Sequence, residues 1–444
     1  MAFLAYTLLS FILLLRNDWA VQTIASFYPQ IGQTLFNLKD TALKLHLNTV
    51  PTALYFLIVL SAFYCYWRIV TGKWIKNQQC GKILLCSIVF QGILVASYPA
   101  LSTDVFDYIL QNRVAFTYQQ NPWITPPIAF PADPFINLGH WQRISSVYGP
   151  VHHVLALFPE IVGGDDLIRS VLGFKFLMVI FTYLTARFLI MLIPEKDKAR
   201  HLALFMFNPL VLIETAGNAH NDIIMVAFMV ASLVALRRNR FPIAGILIGL
   251  GAMVKLYAVA LIPLYLAFLA RKGKWVSALG LLVSSFCTVL FGIWFMGINS
   301  LQNQIRLFGW VFTLRLNSLP NLLNMLPDWV FLLPFLVFAL YKLSAIDDKT
   351  KIVRTYVILT LVYLLFVVEL YWAWYPIWYI PFLSLLRLTR IVKAALTFAM
   401  TSSLHYAILF LSHRFSYQHI LWTVAIYLFL IVPPIIVYLK AKNG

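Results

Sequence analysis

Apolar positions in this chain fall in long, nearly unbroken runs that are separated by short polar segments. A helix needs roughly 20 such residues to cross the ~30 Å hydrocarbon core of a bilayer, and runs near this length recur from end to end. They lie at 2–15, 51–67, 83–99, 168–192, 202–217, 220–236, 275–295, 320–341, 355–370, 376–386, 394–411 and 417–438. This pattern predicts an all-α polytopic membrane protein rather than a soluble domain.

The segment 241–270 is too long for one simple crossing. As a single helix it would be about 45 Å long and would place Lys255 near the bilayer centre, at a cost of ~2.5–3.5 kcal/mol. It would also put the basic clusters at 237–240 and 271–274 on opposite sides of the membrane. We therefore expect a break near Lys255 that gives two short helices. The whole chain, 1–444, is then one transmembrane domain of about 12–14 helices.

Composition supports this class and explains the charge. Hydrophobic residues make up 61% and charged residues 11% of the chain, against roughly 25% charged residues in soluble domains. Most lysines and arginines fall in loops on one side of the predicted membrane. The positive-inside rule makes that side cytoplasmic, with both termini there. The net charge of +18 therefore indicates membrane orientation and not a nucleic-acid partner.

Polar residues with chemical capacity gather on the other, exterior side. The largest exterior segment, 100–167, is too polar and too rich in proline to cross the bilayer. It predicts two short helices at the membrane interface, over 104–118 and 148–158. The remaining exterior clusters are GNAHND at 217–222, Lys255 at the break, the loop 297–319 and ELYWAWYP at 369–376.

The exterior residues fit a transfer reaction on a substrate with a polar head and an apolar tail. A carboxylate at the membrane rim, Asp104 or Asp107, can act as a general base on an acceptor hydroxyl. A cation at the same depth, Lys255, Arg306 or Arg315, can hold a phosphate leaving group. Amide, carboxylate, imidazole and aromatic side chains expected to contact the substrate are Tyr108, Asn121, Trp123, Tyr148, Asn218, His220, Asn221, Asp222, Glu369, Trp372 and Tyr375.

The charged candidates also have structural interpretations. Asp104 could cap the helix that it starts, with Asp107 three residues later in a capping-box-like position. Lys255 could extend its ammonium group to the membrane interface without any other task.

The turns and the histidines have structural interpretations as well. His220 and Asp222 could be hydrogen-bonded turn residues, since their spacing fits no zinc site. The aromatic turn 369–376 could be part of a membrane-interface belt. His152 and His153 are expected to have no catalytic task.

Six sequence blocks resemble those of GT-C fold glycosyltransferases, and most closely those of polyprenol-phosphate-mannose-dependent mannosyltransferases of bacteria and archaea. The blocks run in the same order from about 98 to 382 and cover roughly two-thirds of the chain. They are STDVFDY, NPW, YGP, NPLVLIETAGNAHND, VKLYAVALIPL and WYPIWYIPFL. The resemblance implies a GT-C-like bundle and an inverting transfer of a hexose, with mannose the first expectation. The donor would be a polyprenyl-phosphate sugar and the acceptor a lipid-linked or glycan hydroxyl on the non-cytoplasmic face.

The resemblance also implies roles for individual residues. Asp104 takes the position of the catalytic carboxylate, with Asp107 second, and Lys255 that of the family's lysine. The D-x-x-D spacing departs from the D-x-D of some eukaryotic relatives, so no cofactor is predicted and the spacing does not support a bridging divalent metal. The family's GNGHND-like block corresponds to Gly217, Asn218, His220, Asn221 and Asp222.

Two other functions remain open at this stage. A transporter or flippase for a lipid-linked sugar would share the amphiphilic ligand, although transporters usually place their sites near the midplane on broken, repeated helices. A structural partner without activity would leave Asp104, His220 and Lys255 without a common purpose. We expect a multi-pass protein of a bacterial or archaeal plasma membrane, in contact with membrane lipids, and mannose, glucose, galactose and arabinose donors remain open.

Overall fold

The computed structural model describes residues 1–15, 18–44, 50–72, 75–76, 79–311, 318–323, 325–412 and 420–441. These residues contain helices and turns and no β-strand, which confirms the all-α class. In chain order the α-helices are α1 Ala2–Leu14, α2 Asp18–Phe27, α3 Pro29–Lys44, α4 Val50–Thr71, α5 Cys80–Val95, α6 Asp104–Phe116, α7 Pro150–Gly163, α8 Leu167–Leu192, α9 Lys198–Met206, α10 Pro209–Leu212, α11 Asp222–Arg237, α12 Phe241–Ala252, α13 Leu261–Arg271, α14 Trp275–Met296, α15 Ile298–Val311, α16 Leu319–Leu322, α17 Trp329–Ser344, α18 Lys349–Phe366, α19 Ile380–Leu383, α20 Arg390–Ser412 and α21 Ile420–Lys440.

Four shorter helical turns complete the backbone of the described residues. Three are 3₁₀ turns, at Pro127–Ala129, Leu256–Ala260 and Tyr375–Trp378. The fourth is a π turn at Ile213–Gly217. The last three of these four turns border the candidate site described below.

The described helices include several with the length and composition of membrane spans. Three are long and apolar enough to cross a bilayer, namely α4, α8 and α14. Shorter apolar helices are Ala2–Leu14, Cys80–Val95, Phe241–Ala252, Leu256–Arg271, Trp329–Ser344 and Val424–Lys440. This inventory agrees with the predicted membrane bundle, while the number of crossings stays a prediction.

The predicted break near Lys255 is present. α12 ends at Ala252, Lys255 has an extended backbone, and the next turn begins at Leu256. The carbonyl oxygens of Met253 and Val254, which the break frees, accept hydrogen bonds from the backbone of residues 151 and 149, at 3.1 and 3.4 Å. A broken helix in an apolar bundle requires such replacement partners. Segment 149–151 therefore holds the break in place.

Gly149 is the residue that allows this close contact. A Cβ atom at position 149 would lie 2.1 Å from the carbonyl oxygen of Met253, well inside van der Waals contact. A glycine is therefore required where the exterior segment meets the broken helix.

Helix α6 of the exterior segment is predicted by the sequence, but its surroundings differ from the prediction. Its residues from Val105 to Val114 are all buried, so the protein encloses the helix rather than leaving it on a surface. Arg113 pairs through Nε with Asp133 (2.7 Å) and through Nη1 with Asp165 (2.8 Å). The sequence does not reveal these partners, because they lie 20 and 52 positions away.

Helix α7 agrees better with an interfacial position. It buries His152 and His153 and exposes an apolar face that includes Val154, Phe158 and Ile161. Such a face suits contact with the acyl region of a membrane.

The α2–α3 pair has no counterpart among the predicted elements. Both helices mix apolar and polar positions and form no long apolar run. Phe27 at the end of α2 packs against Phe135 of the exterior segment, with ring centroids 5.0 Å apart. The pair thus covers part of the exterior segment.

Candidate active site

A cavity of about 220 Å³ lies where four of the predicted exterior blocks meet. It is smaller than the ~300–1,000 Å³ of sites that enclose a whole drug-sized ligand, and its size suits a single sugar-sized group. The residues around it are Asp104, Asp107, Gln111, Trp141, Ile144, Val147, Tyr148, Lys255, Leu256, Leu370, Trp372, Trp374 and Tyr375. The cavity thus joins the start of α6, the segment before α7, the break after α12 and the aromatic turn.

Asp104 presents its carboxylate to this cavity. Its side chain is 14% exposed and accepts a hydrogen bond from the Tyr108 hydroxyl at 3.3 Å. Thr103 occupies the N-cap position of α6 and no side chain caps the helix, so the capping interpretation of Asp104 does not apply. Burial disfavours the charged form, but His220 and Lys255 outweigh burial and lower the pKa of Asp104 below its ordinary value. Asp104 is therefore the ionised acid of the cavity.

Asp107 has a different environment. It is 3% exposed, and its Oδ1 accepts the backbone N–H of Trp141 at 2.9 Å. Burial raises the pKa of Asp107 well above its ordinary value, and the nearby Asp104 charge adds to this shift. A Cβ atom at Gly139 would lie 2.7 Å from the same Oδ1. Asp107 thus holds the segment 139–141 against α6.

Lys255 is the cation of the cavity. Its ammonium group lies 2.6 Å from Oδ2 of Asp222 and 5.7 Å from the ring centroid of Tyr148. Trp378 Nε1 donates a hydrogen bond to the other oxygen of Asp222 at 2.6 Å. Asp222 is fully buried, whereas the Lys255 side chain is 21% exposed. An ion pair inside the protein, not an interfacial position, therefore fixes the ammonium group.

His220 lies behind Asp104 and is fully buried. Its Nδ1 is 3.4 Å from Asp104 Oδ2 and its Nε2 is 3.3 Å from Glu214 Oε2. These are ion-pair contacts, because neither ring nitrogen makes an aligned hydrogen bond. Burial alone would lower the pKa of His220, but the two carboxylates outweigh it and raise this pKa to about 9. His220 is thus an imidazolium at neutral pH.

Stacked aromatic rings form one wall of the cavity. The ring of Trp374 lies against that of His220, with centroids 3.8 Å apart, and against that of Trp372 at 5.1 Å. Tyr375 stacks on Trp378 at 4.2 Å. Trp374 and Trp378 are buried, which an aromatic belt facing lipid would not require. The aromatic turn is therefore part of the site.

Several predicted substrate contacts instead connect structural elements. Asn121 Nδ2 donates to Met296 O and to Ser300 Oγ, both at 3.0 Å. Trp123 Nε1 donates to the carbonyl oxygen of Tyr148 at 2.8 Å. These bonds fix the NPW turn against α14, α15 and the cavity-lining segment, so Asn121 and Trp123 support the cavity without lining it.

The block 217–222 is likewise buried. Asn218 accepts the N–H of Leu101 at 3.3 Å and donates to Glu214 at 3.2 Å. Asn221 contacts the His152 ring at 3.2 Å. Asn218 and Asn221 therefore tie the turn before α11 to the exterior segment rather than to an open surface.

The remaining predicted residues lie at or beyond the edge of the site. Glu369 is half-buried beside the lining residue Leu370, and its carbonyl oxygen accepts a hydrogen bond from Ser318 at 2.6 Å. Arg306 is exposed on α15 and does not line the cavity. Arg315 lies outside the described residues. Among the described residues no three His, Cys, Asp or Glu side chains group as metal ligands, and the absence of a metal cofactor stays a prediction.

Glu214 and Trp378 contact residues of the candidate site, His220 and Asp222, but are not among the site residues predicted from the sequence. Glu214 is an acid inside an apolar run, and an ionisable residue in such a place is a functional candidate by default. The position of Glu214 inside an apolar run could therefore have marked it as a candidate from the sequence alone. Trp378 carries no comparable signal, because its role depends on the distant Asp222.

In the described part of the chain, a carboxylate and an ammonium group thus line one small, aromatic-walled cavity at the end of several apolar helices. The family model of the alpha-(1->6)-mannopyranosyltransferase N-terminal domain matches residues 7–271. This match covers more than half of the chain and includes Asp104, His220 and Lys255, and the chain belongs to this family. The resemblance to GT-C mannosyltransferases is thereby confirmed.

Two relatives are similar to the chain over a shorter region. The chain is 25% identical over 196 residues to the alpha-(1->6)-mannopyranosyltransferase A of Corynebacterium glutamicum, covering 41% of this chain and 39% of the relative. It is 24% identical over 182 residues to the protein of the same name from Mycobacterium tuberculosis, covering 40% of this chain and 35% of the relative. The alignments thus span well under half the length of each relative. No solved structure matches the chain significantly.

Proposed function

We propose that the protein transfers mannose from a polyprenyl-phosphate mannose to a hydroxyl group of a lipid-linked or glycan acceptor. The observation that carries this proposal is the pairing of Asp104 and Lys255 across one sugar-sized cavity. Membership of a mannosyltransferase family supports mannose among the hexoses. It also favours an enzyme over a transporter of the same lipid-linked sugar.

The chemistry follows from the two charged groups. The Asp104 carboxylate takes the proton of the acceptor hydroxyl as the hydroxyl oxygen forms its bond to the anomeric carbon. The bond from this carbon to the phosphate oxygen breaks, and the polyprenyl phosphate leaves with the electron pair. Lys255 stabilises the negative charge that develops on the leaving oxygen. Attack opposite to the leaving group inverts the configuration at the anomeric carbon.

The cavity is large enough for the sugar of the donor but not for its prenyl chain. A volume of about 220 Å³ accommodates the sugar, while the prenyl chain stays in the apolar surroundings of the bundle. Trp372, Tyr375 and Tyr148 line the cavity and offer aromatic faces to the sugar ring. Asp222 and Trp378 do not contact the donor. Asp222 orients the ammonium group of Lys255, and Trp378 holds Asp222.

We also propose that the site faces the non-cytoplasmic side. Asp222, which holds Lys255, is the first residue of α11, and Arg237 is the last residue of this 16-residue helix, so the two lie about 22 Å apart along its axis. The exposed cations Arg238 and Arg240 directly follow Arg237, and Lys349 lies within electrostatic reach of both Arg237 and Lys274. Because basic loops stay cytoplasmic, the opposite end of α11 is the outer one.

Sidedness can be measured with single cysteines in a background without the four native ones. Gln120→Cys and Gln302→Cys, both at exposed positions, are expected to react with an impermeant thiol reagent added to intact cells. Lys272→Cys and Asp348→Cys, also exposed, are expected to react only after the membrane is opened. Labelling of all four positions from one side would contradict the proposed orientation.

The proposed activity is tested with purified protein and a panel of polyprenyl-phosphate sugars carrying mannose, glucose, galactose or arabinose. We expect acceptor-dependent release of polyprenyl phosphate from the mannose donor at a rate well above the others. Passage of intact donor across a reconstituted bilayer, without release of polyprenyl phosphate, would instead support a transporter.

A further inference from the structure

Glu214 is a buried acid next to the proposed site. It lies in the π turn Ile213–Gly217 and is 1% exposed. Its Oε2 accepts a hydrogen bond from Asn218 at 3.2 Å and lies 3.3 Å from Nε2 of His220. It does not line the cavity, so it does not meet a sugar or a phosphate there. Burial of a carboxylate is costly unless a charge or hydrogen bonds compensate it.

The backbone fixes Glu214 and His220 relative to each other. The N–H of His220 donates to the carbonyl oxygen of Glu214 at 2.9 Å, and the N–H of Asn218 donates to that of Ile213 at 2.9 Å. Between them, Ala219 has φ of +61°, a left-handed conformation that is unfavourable for a residue with a Cβ atom. π turns occur frequently at functional sites, and here the turn aims both side chains at one another.

We propose that Glu214 is a positioning residue of the transfer reaction, which acts through the His220 side chain to keep the Asp104 carboxylate ionised and directed into the cavity. This inference rests on the proposed function, because it assumes that Asp104 is the base. The arrangement is a row of three groups, carboxylate, imidazolium and carboxylate. The outer member meets the substrate and the inner member holds the middle one in its charged form.

The other groups around the row leave this assignment intact. Lys255 lies near Asp104 on the cavity side and adds a second positive charge there. The hydroxyl groups of four tyrosines, neutral near pH 7, lie within electrostatic reach of Glu214. They are Tyr6 of α1, Tyr55 of α4, Tyr371 before the aromatic turn and Tyr406 of α20. The Trp374 ring, which stacks on the His220 ring, carries no charge.

The consequence for pH dependence has a definite sign. Glu214 and Asp104 raise the pKa of His220 to about 9, so the imidazolium is present below that pH and is lost as the pH rises through it. Loss of the Glu214 charge removes one of the two groups that raise this pKa, so His220 becomes neutral at a lower pH. The alkaline fall in activity should then move toward neutral pH.

The test compares pH profiles of kcat/KM for wild type and Glu214→Gln. We expect the alkaline limb of the variant to move down by about one pH unit or more. The proton concentration at which half of the His220 side chains are protonated is then about tenfold higher. Glu214→Asp, which keeps the charge, should retain an alkaline limb closer to that of wild type. Glu160→Gln is the matched control, because Glu160 accepts a hydrogen bond from Thr117 away from the cavity, and its profile should not move.

A second variant covers the possibility that Glu214→Gln does not fold. His220→Gln removes the titrating group, so its remaining activity should show no alkaline limb near pH 9. An unmoved limb in Glu214→Gln, or an equal loss of activity at every pH, would overturn the positioning role. Full activity of Asp104→Asn would instead overturn the proposed function itself, so the two failures are distinguishable.

Discussion

Asp104→Asn is expected to lower kcat about 10²–10⁴-fold, the usual contribution of a general base. The amide has nearly the same shape as the carboxylate but cannot take the proton of the acceptor hydroxyl. The Tyr108 hydroxyl can still donate to the remaining oxygen, so the fold and the donor site should persist. The measurements are single-turnover rates together with donor binding, which should stay within a few-fold of wild type.

Asp107→Asn is the comparison variant. Its Oδ1 holds the Trp141 backbone, and the asparagine oxygen can accept the same hydrogen bond. We therefore expect a much smaller loss of kcat than for Asp104→Asn. Any loss of activity should be accompanied by a lower melting temperature. If the Asp107 variant lost more turnover than the Asp104 variant at matched folding, the assignment of the base would be reversed.

Lys255→Gln is expected to lower kcat/KM at least about tenfold, or ~1.4 kcal/mol, with part of the loss in kcat. The charge on the leaving phosphate oxygen grows toward the transition state, so the ammonium group stabilises that state more than the bound donor. Free polyprenyl phosphate should also inhibit the variant less than it inhibits wild type. Both quantities follow from initial-rate kinetics with product added.

Two further variants test whether Lys255 or Arg306 binds the phosphate. Lys255→Arg keeps the charge but not the compact shape that fits beside Asp222, and it should recover part of the activity. Arg306→Gln removes an exposed charge that does not line the cavity, and it should behave like wild type. A large loss in Arg306→Gln, with unchanged kinetics in Lys255→Gln, would transfer the phosphate-binding role to the arginine.

Much of the fold could be predicted because membrane helices follow from local apolar runs. The break at Lys255 was predictable for the same reason, since a lysine and two basic flanks are incompatible with one long helix. That Asp104 lines a cavity could be predicted, because an acid at the end of an apolar run is costly unless it has a function. These inferences use residues that are close together in sequence.

What the sequence could not show depends on distant partners. Asp222 holds Lys255 through an ion pair between residues 33 positions apart in sequence. Trp378, 156 positions from Asp222, donates a hydrogen bond to the same carboxylate. The predicted interfacial helix α6 is instead buried, and its Arg113 pairs with the distant residues Asp133 and Asp165. None of these pairings leaves a periodic or compositional signal.

The most direct test of the account uses polyprenyl-phosphate mannose labelled in the sugar, a mannoside acceptor and protein reconstituted in liposomes. Wild type should release one polyprenyl phosphate for each mannose transferred, and the new glycosidic bond should have the anomeric configuration opposite to that of the donor. Asp104→Asn should bind the donor and leave it intact. Transfer by Asp104→Asn at the rate of wild type, or a product that retains the configuration of the donor, would contradict the account.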